Sequence, residues 1–393
     1  MEALHIDRLT SIALVTTAAL LCGLALIRLR QPAVVGYILA GIVLGPTGLQ
    51  VISNTETVRT LADLGVIMLL FLIGMELSLR GFKSVYKTAL ATAALQIVIS
   101  VGLFWIAGHY LHWSFERVLV FGFATALSST AVAIKMLEET GDLRGPVGRI
   151  TVSVLIAQDL AVIPMLLVIS AFGEGAMPGG IIAAKMIFAI GFLGFLVVSL
   201  SQQEKMVLPL TDWIVSRPEV IPLAAMAFCF TWAALSGILG LSTAYGAFAA
   251  GLIIGNSNVR AILHTAAEPI QAILLMVFFL SIGLLIDVNF IIHNWRLVLI
   301  VLSLVTLVKT AINVMILHLF LRKPWDRAFH SGVVMAQIGE FSFIIVAAGL
   351  ATNIIPDEAY RLMIAVIALS LMISPMWLAI ARQLHGAALG KRA

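Results

Sequence analysis

The chain has 393 residues, of which 61% are hydrophobic and 11% charged, with 24 Lys and Arg against 20 Asp and Glu. A soluble domain is about half apolar and about a quarter charged, so the composition excludes a soluble enzyme and makes this an all-α polytopic membrane protein. The net charge of +4 then belongs to membrane topology rather than to nucleic-acid binding, and the two cysteines, Cys22 and Cys229, sit in apolar runs, where they imply neither a disulfide framework nor a metal site.

Apolar runs and their breakers predict thirteen spans, near 9–27, 32–49, 61–79, 86–108, 116–137, 148–171, 181–200, 219–238, 243–255, 269–287, 297–319, 328–350 and 360–381. The first run is long enough to remain as a span, so no cleavable signal is expected. The third closes on Leu70-Phe-Leu-Ile-Gly-Met-Glu76; its Glu76 either draws cations toward a cytoplasmic funnel or snorkels at the interface. Three hydroxyls in a row, Ser128, Ser129 and Thr130, interrupt the fifth span, and Ala336-Gln-Ile-Gly-Glu-Phe-Ser342 interrupts the twelfth. An unwound stretch inside a membrane is tolerated where it lines a cavity. The longest soluble-looking stretch, Ser201–Glu219, is too short for a folded domain outside the membrane. Sixteen Lys and Arg fall in the connections on one side and six on the other. That bias predicts an odd number of spans, with the N-terminus outside and the C-terminus cytoplasmic.

The chemistry concentrates in spans. Asp159 lies at the middle of the sixth, Lys309 at similar depth in the eleventh, and Glu340 in the interrupted stretch of the twelfth. A charge at the bilayer midplane costs at least ~3 kcal/mol. Without a cation beside it, a buried carboxylate favours its protonated form; with one, it favours the anion. Asp159 can therefore hold a proton or a monovalent cation in turn, which is the minimum that exchange requires. The bland alternative is a permanent salt bridge to Lys309 or Lys135. Gln158 beside it is neutral and offers an amide oxygen, leaving one carboxylate and pointing to one proton for one monovalent ion. Ser128, Ser129 and Thr130 supply oxygen ligands, or merely bond back to their helix. Lys309 neutralises the empty site or forms a fixed structural pair, and Glu340 is a supporting carboxylate or the partner of a lysine. His109 and His112, three apart at an outer helix end, read as interface residues. No phosphate loop is present, so neither ATP-driven transport nor enzyme activity is expected. Paired interrupted spans, one beside Asp159 and one beside Lys309, place the site between two inverted repeats.

Several stretches carry a family resemblance in order along the chain. They are Gln31-Pro-Ala-Val-Val-Gly-Tyr-Ile-Leu-Ala-Gly-Ile-Val-Leu-Gly-Pro46, Leu70-Phe-Leu-Ile-Gly-Met-Glu-Leu77, Leu127-Ser-Ser-Thr-Ala131, Gln158-Asp-Leu-Ala-Val-Ile-Pro164, Phe278-Phe-Leu-Ser-Ile-Gly283 and Gly339-Glu-Phe-Ser-Phe343. Together they resemble the monovalent cation:proton antiporter-2 family. The Gln-Asp pair is similar to its Kef-type branch, which exchanges potassium for protons, and the overall match looks closest to its MagA-type members, for which iron transport has been proposed.

The resemblance implies a sodium/proton antiporter-like fold in which two broken helices cross. It implies core helices about 61–171 and 297–381, dimerisation or scaffold helices about 9–49 and 181–255, and a homodimer among membrane lipids moving in an elevator-like way. By carry-over Asp159 is the ion carboxylate, Ser128 to Thr130 the first crossover, and Gly339 with Glu340 the second. Kef-type proteins continue into a cytoplasmic nucleotide-binding domain; here a single transmembrane antiporter domain over 1–393 is expected, without that gating. The function expected is secondary antiport of K⁺ or Na⁺ against H⁺ in a cell membrane, electroneutral and without a cofactor. The competing readings are a cation channel on the same scaffold and iron transport, the latter disfavoured because no His or Cys lies among the proposed ligands.

Overall fold

The computed structural model describes residues 8–28, 33–46, 48–50, 55–76, 86–173, 179–202, 213, 215–239 and 241–388. In lipid every backbone N–H and C=O needs a partner within the protein, and a helix supplies one within its own segment. The described chain answers that demand with helices. In order they are α1 (Arg8–Arg28), α2 (Ala33–Leu44), α3 (Thr55–Glu76), α4 (Tyr86–Tyr110), α5 (Phe115–Ala126), α6 (Thr130–Glu139), α7 (Pro146–Gly173) and α8 (Gly179–Gln202). There follow α9 (Ile221–Ile238), α10 (Thr243–Gly255), α11 (Arg260–Leu285), α12 (Val288–His293) and α13 (Trp295–Met315), which ends in a π turn at Ile316–Phe320. The last are α14 (Trp325–Val334), α15 (Phe341–Ala351) and α16 (Asp357–Ala388).

With α5–α6 and α14–α15 each counted as one interrupted span, and the short α12 as a connector, these are the thirteen expected spans. The Gly-rich ninth runs over Thr243–Gly255, as its composition predicts, whereas the tenth begins at Arg260 rather than near 269. Pro269 hid that start. A proline inside a helix costs one backbone bond, and the helix carries it within its second and third turns. Among the described residues seven of the spans are long and apolar enough to cross a membrane by themselves, and the others contain shorter apolar stretches.

Two groups of helices pack together. In one, α3 lies against α10 and α11, α2 against α1 and α11, and α9 against α10. Small residues set its spacing: a Cβ on Gly251 would lie 2.0 Å from the Phe71 carbonyl oxygen and 2.9 Å from the Gly74 Cα, so α3 and α10 meet backbone to backbone. In the other group α4 packs on α5 and α7, α15 on α5 and α7, and α13 on α14 and α16. Between them lies a cavity of about 580 Å³, lined by Val66, Phe278 and Thr243 from the first group and by Leu166, Phe343 and Tyr360 from the second.

Candidate functional site

The second group is built around the two interruptions. The helix from α5 stops at Ala126, Leu127 and Ser129 are extended, and α6 restarts at Thr130 with the Ser129 hydroxyl accepting the Val132 N–H. The other interruption runs from Met335 to Glu340, which occupies the N-cap position of α15. The two stretches cross in contact. The Gly339 N–H donates to the Leu127 carbonyl at 3.1 Å. A Cβ on Gly339 would stand 2.6 Å from the Ser128 carbonyl carbon, so only glycine fits this crossing.

Each interruption exposes one helix C-terminus and one N-terminus to the protein interior, with partial negative and partial positive charge. The charged residues match those ends. The Lys309 ammonium donates to the Leu127 carbonyl, at the end of α5, and to the Gln337 carbonyl at 3.0 Å, beyond the end of α14. The Thr130 hydroxyl donates to Asp159 Oδ2 at 2.9 Å, placing the carboxylate at the start of α6. Glu340 stands at the start of α15. Asp159 is 7% exposed and Lys309 5%, whereas Glu340 is half-buried.

The structure thus brings Asp159, Gln158, Ser128, Ser129, Thr130, Lys309 and Glu340 together at one crossing. Glu76 ends α3, and its side chain lies outside the described residues. Lys135 stands apart on α6, 4.0 Å from Glu139. Gln158 has a more committed role than a neutral amide at mid-span suggests: its Oε1 accepts the Ser128 N–H at 2.8 Å and its Nε2 donates to Gln96 Oε1 at 2.8 Å.

Three residues at the crossing were not among the site residues that the sequence suggests. Gln96 on α4 and Asn313 on α13 are joined by a 2.8 Å hydrogen bond and are fully buried. Each is a lone amide in an apolar span, a signal of the same kind as Gln158 though without a charged neighbour. The third is Gln337, whose Nε2 donates to the Ser129 carbonyl at 3.2 Å. Its Oε1 is buried with no hydrogen-bond partner among the described residues. Among the described residues no group of three or more His, Cys, Asp or Glu could hold a metal ion.

The sodium/hydrogen exchanger transmembrane family model matches residues 14–381. The chain is similar to the iron transporter MagA of Paramagnetospirillum magneticum, with 49% identity over 97% of this chain and 87% of that protein. It is also 32% identical to K(+) efflux antiporters 5 and 4 of Arabidopsis thaliana, over 94% and 95% of this chain, and spans 65% and 64% of their lengths. In fold it resembles the sodium proton antiporter MjNhaP1 of Methanocaldococcus jannaschii, with a TM-score of 0.70 at 16% identity, over 95% of this chain and 98% of that one.

Proposed function

The chain belongs to the sodium/hydrogen exchanger transmembrane family, and from that premise we propose that it exchanges one monovalent cation, K⁺ or Na⁺, for one proton at Asp159. The observation that carries this reading is the pairing of charges with half-helix ends at one crossing. Asp159 receives the Thr130 hydroxyl, while Lys309 is engaged by the Leu127 and Gln337 carbonyls. A cation arriving at Asp159 finds an oxygen donor close by in the Thr130 hydroxyl. A proton arriving there replaces it. One carboxylate beside a neutral amide makes the cycle electroneutral.

The helices carrying the crossing move against the remaining group, exposing Asp159 to each side in turn. The cavity between the two groups, which reaches Phe343 three residues from Glu340, supports such a movement. The excess of Lys and Arg on one side supports a cell-membrane protein with its N-terminus outside and C-terminus in the cytoplasm. A homodimer is part of this proposal, by the family resemblance alone.

The name of the relative at 49% identity raises iron as cargo. Ferrous iron favours several carboxylates, imidazoles or thiolates, and the crossing offers carboxylate, hydroxyl and amide oxygens. The same assay tests both. Purified protein in vesicles should move protons when K⁺ or Na⁺ is added, not when Fe²⁺ is, and Asp159→Asn should abolish the movement while folding normally. Exchange that survives Asp159→Asn would sink the proposal. A current that follows voltage, at ~2.3 kcal/mol per charge per 100 mV, would reject the one-for-one count, and a conductance independent of the proton gradient would identify a channel.

A further inference from the structure

Three buried amides join the two interruptions in a single line. The Ser128 N–H donates to Gln158 Oε1, Gln158 Nε2 to Gln96 Oε1, and Gln96 Nε2 to Asn313 Oδ1, each at 2.8 Å. Asn313 Nδ2 then donates to the carbonyls of Gly332 at 3.2 Å and Met335 at 3.0 Å, the last turn of α14. The line crosses α7, α4 and α13, and none of its three side chains is more than 2% exposed.

Both ends are backbone groups whose roles cannot reverse: an N–H only donates and a carbonyl only accepts. Turning any one amide over would set hydrogen against hydrogen and oxygen against oxygen within a dry interior. The fold therefore fixes the direction of the whole line. Its starting point is functionally placed, because Ser128 lies two residues before the hydroxyl that donates to Asp159.

We propose that Gln96 and Asn313 are positioning residues for the cation site. Through Gln158 they hold Ser128 unwound, and thereby set where Thr130 stands against Asp159 and how tightly the cation is held. They touch no ion themselves. The inference rests on the reading of Asp159 as the exchange site. The competing reading is that the amides only glue helices together, which would affect stability and leave the cation dependence alone.

Gln96→Glu separates the two readings. Protonated, the introduced carboxyl copies the amide: its carbonyl accepts from Gln158 and its O–H donates to Asn313. Ionised, it sets an acceptor against Asn313 Oδ1. The charged groups on the helices it bridges are Asp159, next to Gln158 on α7, and Lys309, one turn before Asn313 on α13, with Arg149 and Arg296 in the first turns of those two helices.

Proton movement triggered by K⁺ or Na⁺ is measured in vesicles across a pH series, for the unmodified chain, Gln96→Leu and Gln96→Glu. Gln96→Leu should raise the half-saturating cation concentration roughly 10-fold, the usual cost of losing a residue that orients an ion ligand, with a smaller change in maximal rate. Gln96→Glu should match the unmodified chain at acid pH and lose a similar factor toward alkaline pH. A Gln96→Glu profile that coincides with the unmodified one overturns the proposal, even should Gln96→Leu misfold. If the unmodified chain moves no protons, the exchange reading fails separately. The melting-temperature shift induced by K⁺ or Na⁺ in detergent then reads the site without transport. Gln96→Glu should lose that shift toward alkaline pH, and a shift preserved at every pH overturns the proposal.

Discussion

In the first half of the crossing, α7 follows the interruption and its Gln158 side chain accepts the Ser128 N–H at 2.8 Å; in the second, α16 follows the interruption and its Ser370 hydroxyl accepts the Ile338 N–H at 3.1 Å. Layout and purpose are the same: a side-chain oxygen from the next helix satisfies a backbone donor that unwinding has freed. The residues beside those oxygens differ. Gln158 is followed by Asp159, Ser370 by Leu371. The helix before the first interruption contributes neutral Gln96, and the helix before the second contributes Lys309. The repeated layout supplies two unwound backbones in contact, and a few unmatched side chains put the carboxylate Asp159 in one half and the ammonium of Lys309, with the carboxylate Glu340, in the other. Symmetry builds the crossing, and its violation builds the site.

Removing the ammonium should have the largest effect. Lys309→Ala removes two charge-assisted bonds worth ~1.5–3 kcal/mol each, one to the Gln337 carbonyl and one to the Leu127 carbonyl, which keeps the Gly339 N–H, partly offset by no longer burying an ammonium. We expect about 3 kcal/mol of lost stability on denaturation in detergent, together with loss of cation-triggered proton movement. Unaltered stability would mean that the charge does not distinguish the halves.

Next comes the contact between them. Gly339→Ala drives a methyl to 2.6 Å from the Ser128 carbonyl carbon. Overpacking of this kind costs ~1–3 kcal/mol, and here the displaced backbone is the one that carries Thr130 to Asp159. Slowed exchange should accompany the lower melting temperature. Full exchange activity would show that the crossing tolerates separation.

The smallest effect should come from the neutral cap of the second half. Ser370→Ala leaves the Ile338 N–H without its acceptor, at ~1 kcal/mol. It should lower the denaturation midpoint and leave the half-saturating cation concentration unchanged. If Ser370→Ala shifts cation dependence as strongly as a change at Gln96, the two halves are functionally equivalent and the asymmetry argued above is wrong.

Much of this was legible in the residues themselves. Ser128, Ser129 and Thr130 at mid-span, and Gly339 with Glu340, announce interrupted helices, because hydroxyls and glycine in hydrocarbon need a cavity or a crossing to justify them. Asp159 and Lys309 announce themselves by cost. Gln96 and Asn313 were not legible: a single amide in an apolar span reads equally as helix glue or as part of a site, and only its partners decide. Gln158 shows the same limit from the other side. Its chemistry suggested an oxygen for a cation, while its Oε1 in the structure serves the Ser128 N–H.

What the sequence by itself determined is what lipid dictates locally: thirteen spans, because each apolar run must satisfy its backbone within itself, and the two places where that rule is broken. What only the tertiary structure decided is who repairs the break. Leu127 lies 182 residues from the Lys309 that donates to its carbonyl, and Gln96 217 residues from Asn313. Hydrogen bonds are directional and short, so such pairings depend on how helices are rotated and spaced against one another. That information resides in packing, in contacts such as Gly339 against Ser128, and in no local stretch of the chain.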